Sequence, residues 1–320
     1  MTARPQHTKW PGSRLKPVPV SDSLESVGFV SKGDRKLLDH KAQKDYYARI
    51  VERYMAFCAR HAKDLDAAWA SLPTNASGDA TKNPPASLAP SGSKSSGPSP
   101  ASELSTLLLS LRKLREAVLA SASSVPVPFS QQVHMFSIKL SIRAKHPPSY
   151  FPSLRYLLEH LHSSSHPLPE SELKDLISYL ILDLACRQDD LVAAFEQRAR
   201  ARSQYQFQSQ TVDRVLSALA HDNWVVFWQV RQEVDSSMRA VLDWAEDRMR
   251  RHALKAVGRA YLSVSAQWIT EGCTGDPSWT WEKLAETEKL GWQKEGDKII
   301  IRKPKQKTEK NLVPIRENAS

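Results

Sequence analysis

Trp281-Glu282-Lys283-Leu284-Ala285, then Leu290-Gly291-Trp292, then Glu295-Gly296-Asp297 and Lys298-Ile299-Ile300-Ile301-Arg302 form the stretch that decides the fold. Asp276-Pro277 reads as a helix cap followed by proline at the first helical position. The short helix it starts is expected to end near Leu290-Gly291. Trp292 then opens a strand, Glu295-Gly296-Asp297 makes a hairpin turn, and Lys298 to Arg302 returns. Three consecutive isoleucines favour a strand through their β-branching. Upstream, apolar residues recur at helical spacing from Trp224 to Trp268. Joined to the end of that helical run, the short helix and hairpin make a winged-helix unit over 237–303.

The rest of the chain reads as helix. Residues 1–33 are basic and proline-rich, and are expected to be a disordered arm. One helix is expected over 34–72, with Leu37, Leu38, Tyr46, Tyr47, Ile50, Tyr54, Phe57 and Leu65 on one side. Residues 73–101 are mostly Pro, Ser, Ala, Gly and Asn, the composition of a disordered linker. Ser102 is expected to cap the next helix, which carries Leu104, Leu107, Leu108, Leu111 and Leu114. Helices are then expected at 130–144, 151–162, from Ser171 through Phe195, at 212–219, 224–236 and 238–268. This makes 102–236 a stacked helical array, without a strict repeat. The tail 304–320 is basic.

Composition narrows the function classes. The chain of 320 residues holds 11 Gly and 20 Pro, too few glycines for a sandwich or barrel with many tight turns. A net charge of +10 favours acidic partners: nucleic acid, an anionic membrane face or acidic protein surfaces. Cys58, Cys186 and Cys273 are dispersed and odd in number, which is not a disulfide framework and fits a reducing compartment. No secretory signal or membrane-length apolar run is seen, and prolines at 5, 11, 17 and 19 argue against a mitochondrial presequence. The expected location is cytoplasmic, nuclear or both.

Catalytic patterns are missing. No GxSxG, HExxH or GxGxxG occurs, and Gly272-Cys273-Thr274-Gly275 lacks the Lys-Ser/Thr ending of a phosphate loop. His160, His162 and His166 sit among serines and Pro167 and read as a loop, not a metal site. Cys58 and His61 are three apart on a helix but have no orienting third group. The chain is therefore expected not to be an enzyme and to need no cofactor, metal or small-molecule substrate.

Two binding surfaces are expected instead. Trp292, Lys298, Ile299, Ile300 and Ile301 would offer a strand edge to a protein partner. Arg248, Arg251 and Lys255, with Arg302, Lys303, Lys305 and Lys307 after the return strand, are candidates for nucleic-acid contact. The competing reading of the first three is a solvated, salt-bridged face, since Glu246 and Asp247 precede Arg250 and Arg251 by four. Arg198, Arg200 and Arg202 spread around their helix and form no stripe. Trp224, Phe227 and Trp228 share one helix face, and burial against a neighbouring helix is favoured over stacking on a ligand.

A helical array followed by a winged helix resembles the PCI-type scaffold family. The similarity covers residues 130–303. It rests on Asn223-Trp224-Val225-Val226-Phe227-Trp228, the helix through Arg259-Ala260-Tyr261, Leu284, Leu290-Gly291-Trp292, and Gly296-Asp297-Lys298-Ile299-Ile300. The branch it resembles joins the smallest signalosome subunit, a proteasome-lid non-ATPase subunit and the k subunit of eukaryotic translation initiation factor three. The resemblance implies a non-catalytic scaffold whose partners are other subunits of a multiprotein complex. The arm, first helix and linker have no counterpart there, and the charge is high for such a subunit. The alternative is an RNA- or DNA-binding adaptor of the mRNA processing or export type, using the winged helix and basic tails.

Overall fold

The computed structural model describes residues 24–73 and 98–302. The described chain is mainly helical, with one small three-stranded antiparallel sheet. It divides into two compact units, one up to Pro167 and one from Leu168.

The first unit holds α1 (His40–Arg60), α2 (Leu65–Trp69), α3 (Pro100–Ala120), α4 (Val127–Arg143) and α5 (Pro147–Tyr156), the last running into a π turn at Leu157–Leu161. Two carboxylates set the helix starts: Asp39 accepts from Ala42 N and Asp64 from Ala67 N. The single helix expected over 34–72 is thus two, because Asp64 caps a new start after the turn at 61–64. Ser99, not Ser102, caps α3, and Pro100 occupies its first turn, where no N–H is needed. The expected linker therefore stops short of 101, and residues 74–97 lie outside the described residues.

The expected arm also ends early. Leu24 is buried against Leu37, Tyr46 and Ile50, and Tyr46 Oη donates to Leu24 O at 3.0 Å. Gly28 N donates to Asp34 Oδ2 at 2.7 Å, folding 24–34 into a compact turn. The core of this unit is the apolar face of α3, with Leu104, Leu107, Leu111 and Leu114 packed against Ile50, Phe57 and Val133.

The second unit contains α6 (Glu170–Cys186), α7 (Leu191–Tyr205), α8 (Gln210–Ala220), α9 (Trp224–Glu233), α10 (Ser236–Leu242), α11 (Glu246–Ala260), β1 (Ser263–Ser265), α12 (Ala266–Thr274), α13 (Trp281–Glu288), β2 (Gln293–Glu295) and β3 (Lys298–Ile300). Asp190 splits off α7 by accepting from Ala193 N. The long helix expected over 238–268 is interrupted twice. A 3-10 turn at Asp243–Ala245 separates α10 from α11, and Ser263-Val264-Ser265 leaves the helix as a strand. Ser265 then caps α12 by accepting from Trp268 N. The sheet order is β1-β3-β2. Gly296, at φ +61°, makes the tight turn between β2 and β3.

Candidate interaction surface on the C-terminal unit

The site is built on a small core. Leu254, Val257, Ile269, Cys273, Trp281, Leu284 and Ile299 pack together, joining α11, α12, α13 and the middle of the sheet. Burial pushes the Cys273 thiol up to about 12, so it serves as a packed apolar group and not as a nucleophile. Cys186 is likewise buried and pushed up to about 12. Trp224, Phe227 and Trp228 also turn inward: Phe227 and Trp228 are buried and Trp224 packs on this core.

The strand edge expected at 298–301 is not where the structure puts it. β3 is the central strand, pairing Ile300 with Ser263 on one side and with Gln293 on the other. Ile299 is fully buried, Ile300 and Ile301 are partly buried, and Lys298 alone is exposed. Trp292 is half-buried and stacks on Trp281, with ring centroids 6.4 Å apart and planes 10° apart. A Cβ at Gly258 would stand 3.0 Å from the Trp292 ring, so a glycine there lets the indole settle onto α11. These residues hold the unit together.

The two real edges differ. β2 is exposed along its length and charged, with Lys294 paired to Glu282 at 2.9 Å. Charge on an edge discourages strand addition. β1 is the opposite case. Ile301 N donates to Leu262 O and Ala266 N to Asp297 O, both at 2.8 Å. Alternation therefore turns Leu262 and Val264 toward β3 and points the Ser263 N–H and C=O away from it. Around this open edge Tyr261, Leu262 and Trp268 are 47, 52 and 45 % exposed, and the Tyr261 and Trp268 rings lie 5.8 Å apart. The sequence reading missed this edge because it continued the helix through Trp268. The alternation Leu262-Ser263-Val264-Ser265 was the available signal.

The basic candidates separate by environment. Arg248 is drawn to Asp189 and donates to Ala185 O at 3.0 Å. Arg250 is 4 % exposed, bonded to Glu288 and Asp247, with its guanidinium 4.6 Å from the Trp279 ring centroid. Arg251, Lys255 and Arg259 lie four apart along the exposed side of α11. Arg251 is 67 % exposed, 3.6 Å from Glu288. Arg302 joins the end of this row by donating to Arg259 O at 2.6 Å. Of the intrahelical pairs expected, Glu246–Arg250 forms at 3.9 Å, whereas Asp247 pairs with Arg250 and not with Arg251. Lys303, Lys305 and Lys307 lie outside the described residues.

Other candidates resolve simply. His61 Nε2 faces Glu103 at 3.8 Å. Arg198 and Arg202 straddle Asp213 at 2.5 and 2.9 Å. Among the described residues, no group of three His, Cys, Asp or Glu is placed to hold a metal, and no helix is long and apolar enough to cross a membrane. No protein-family model matches the chain, and no curated protein matches it significantly.

Proposed function

We propose that this chain is a non-catalytic scaffold subunit of a multiprotein complex, of the PCI type, and that β1 is its lateral contact. The observation that carries this reading is the open β1 edge flanked by Tyr261, Leu262 and Trp268, beside a β2 edge closed by charge. An extended partner segment would pair with Ser263, and the three apolar side chains would supply the buried anchors. The order α11-β1-α12-α13-β2-β3 with strands arranged β1-β3-β2 supports the winged-helix reading of this unit. Proteasome-lid, signalosome and translation-initiation assemblies are the complexes to examine, in cytoplasm and nucleus. The test is affinity purification of the tagged chain from its native cell, with and without nuclease. A nuclease-resistant set of helical-array subunits supports the scaffold reading.

A second reading has its own observation. The row Arg251, Lys255, Arg259 and Arg302 leads straight into the basic segment after 302 and suits a phosphate backbone. In this reading the chain is a nucleic-acid-binding adaptor. Its affinity for single-stranded RNA or DNA would fall steeply with salt, and Lys255→Gln would lower that salt slope by about one. Absence of binding at low salt removes this reading.

A further inference from the structure

The exposed patch beside β1 continues along α12. Trp268 and Gly272 stand one turn apart on the same side of that helix, and a Cβ at Gly272 would meet the Trp268 ring at 3.9 Å. Gly272 in turn lines a pocket of about 370 Å³ between α9 and the end of α12. Val225 and Trp228 line it from α9, and Gly275 and Pro277 from the segment that follows α12. Gln232 Nε2 donates to Gly275 O at 3.4 Å and joins the two sides. Val225 is 52 % exposed, so the pocket has an open apolar rim.

The two glycines have different reasons to be there. Gly275 caps α12 at φ +65°, and any Cβ on it would run into the Trp228 ring. The fold requires that glycine. Gly272 is under no such constraint. A glycine inside a helix costs stability relative to alanine, and the Trp268 ring at ordinary contact distance is the one side chain a Cβ at 272 would meet. A longer side chain at 272 would enter the pocket.

The charge of the pocket runs against that of the chain. The protein carries +10, yet the described residues that line the pocket include Glu271 and Asp276 and no Lys, Arg or His. Both carboxylates accept from neutral donors close in sequence. Gln267 Nε2 donates to Glu271 Oε1 at 3.1 Å, and Ser278 N to Asp276 Oδ1 at 2.8 Å. Asp213, Glu233 and Glu288 of the same unit are instead matched by arginines. Apolar space thus adjoins negative charge that no cation of the unit neutralises. A nucleic-acid phosphate is repelled there and a basic side chain is attracted. The volume is at the lower end for ligand pockets and suits a single large side chain.

We propose that this pocket takes an anchor side chain of a partner protein's extended segment: one large apolar residue adjacent to a lysine or arginine. The apolar group enters between Val225 and Gly272, and the cation lies beside Glu271 or Asp276. This assignment rests on the reading of the β1 side as a protein contact, because Trp268 belongs to both.

The test is selection of a phage-displayed library of random peptides on the immobilised full-length chain. Fluorescence anisotropy then gives the affinities of the selected peptides for wild type and variants. Gly272→Leu plugs the pocket, Glu271→Lys reverses its charge, and Ser263→Pro alters β1 alone. Circular dichroism verifies each fold, and if Gly272→Leu does not fold, Val225→Glu takes its place. The selected peptides are expected to share a large apolar residue next to Lys or Arg, and to bind Gly272→Leu at least about tenfold more weakly. Selection on Glu271→Lys should lose the basic preference. Ser263→Pro separates the two readings. Peptides that bind it normally but fail on Gly272→Leu place the contact in the pocket and not on β1. Peptides that fail on Ser263→Pro but bind Gly272→Leu normally keep β1 and overturn the pocket. The absence of any selected peptide, or a selection without basic preference, also overturns it. A wild type that sediments as a dimer, with Gly272→Leu a monomer, assigns the pocket to a second copy of the chain and overturns it too.

Discussion

Arg250 Nε donates to Glu288 Oε1 at 2.7 Å, tying α11 to α13 across 38 residues of sequence. The arginine is almost fully buried and the glutamate nearly so. Asp247 and the Trp279 ring complete its surroundings. Removing Arg250 leaves Glu288 with only the exposed Arg251 at 3.6 Å, a cost of about 3 kcal/mol, whereas removing Glu288 leaves Arg250 bonded to Asp247 and costs less. Arg250→Ala should lower the urea midpoint most, Glu288→Ala less, and Arg251→Ala on the next, exposed position little. Equal effects of the three would show that Arg250 is not the structural member of the row.

Ile299 gives the second prediction. It fills the centre of the sheet and touches the α11–α13 core. Ile299→Ala should cost about 2–5 kcal/mol, from lost burial and the cavity left behind. Lys298→Ala, on the exposed neighbour, should stay within about 0.5 kcal/mol. Chemical denaturation of both variants distinguishes a core strand from an exposed binding edge.

His134 gives a pH dependence. Burial first, and Arg115 second, push its imidazole down to about 3. The native state therefore holds it neutral while the unfolded chain takes up a proton below the ordinary value near 6.5. Its stabilising contribution is complete above that value and is lost as pH falls from about 6.5 toward 3. At pH 5 the loss is about 2 kcal/mol, at about 1.4 kcal/mol per unit. Carboxylates also titrate at the lower end, so the quantity to measure is the difference between wild type and His134→Gln. In a low-anion buffer that difference should narrow between pH 7 and pH 5. A constant difference would mean that His134 takes up its proton as readily in the folded protein as in the unfolded chain.

Much of this architecture is legible in the residues, and the failures share a cause. Helical spacing marked Leu104 to Leu114, Leu176 to Ile181 and Val212 to Leu219, because long apolar stripes carry a strong period. The Gly296 turn and the three isoleucines marked the hairpin, because turn chemistry is local. Helix ends set by single carboxylates or hydroxyls, at Asp64, Asp190 and Ser265, were passed over where the apolar period continued across them. The sheet was only half legible. β2 and β3 are neighbours in sequence, but β1 lies 33 residues before its partner, and short strands carry little periodic signal. That omission mistook a central strand for an edge.

The measurement that tests the central claim most directly is nuclease-treated affinity purification of wild type, Ser263→Pro and Trp268→Glu chains from the native cell. Proline at 263 removes an N–H that faces away from β3, so the sheet of the unit keeps its own hydrogen bonds. Circular dichroism and thermal unfolding should confirm that both variants fold. The wild type is expected to bring down a fixed set of subunits, and both variants to lose at least the laterally bound one. Retention of the whole set by two folded variants would contradict the assignment of β1 as the contact. Loss of the whole set from the wild type on nuclease treatment would transfer the function to the Arg251–Arg302 row.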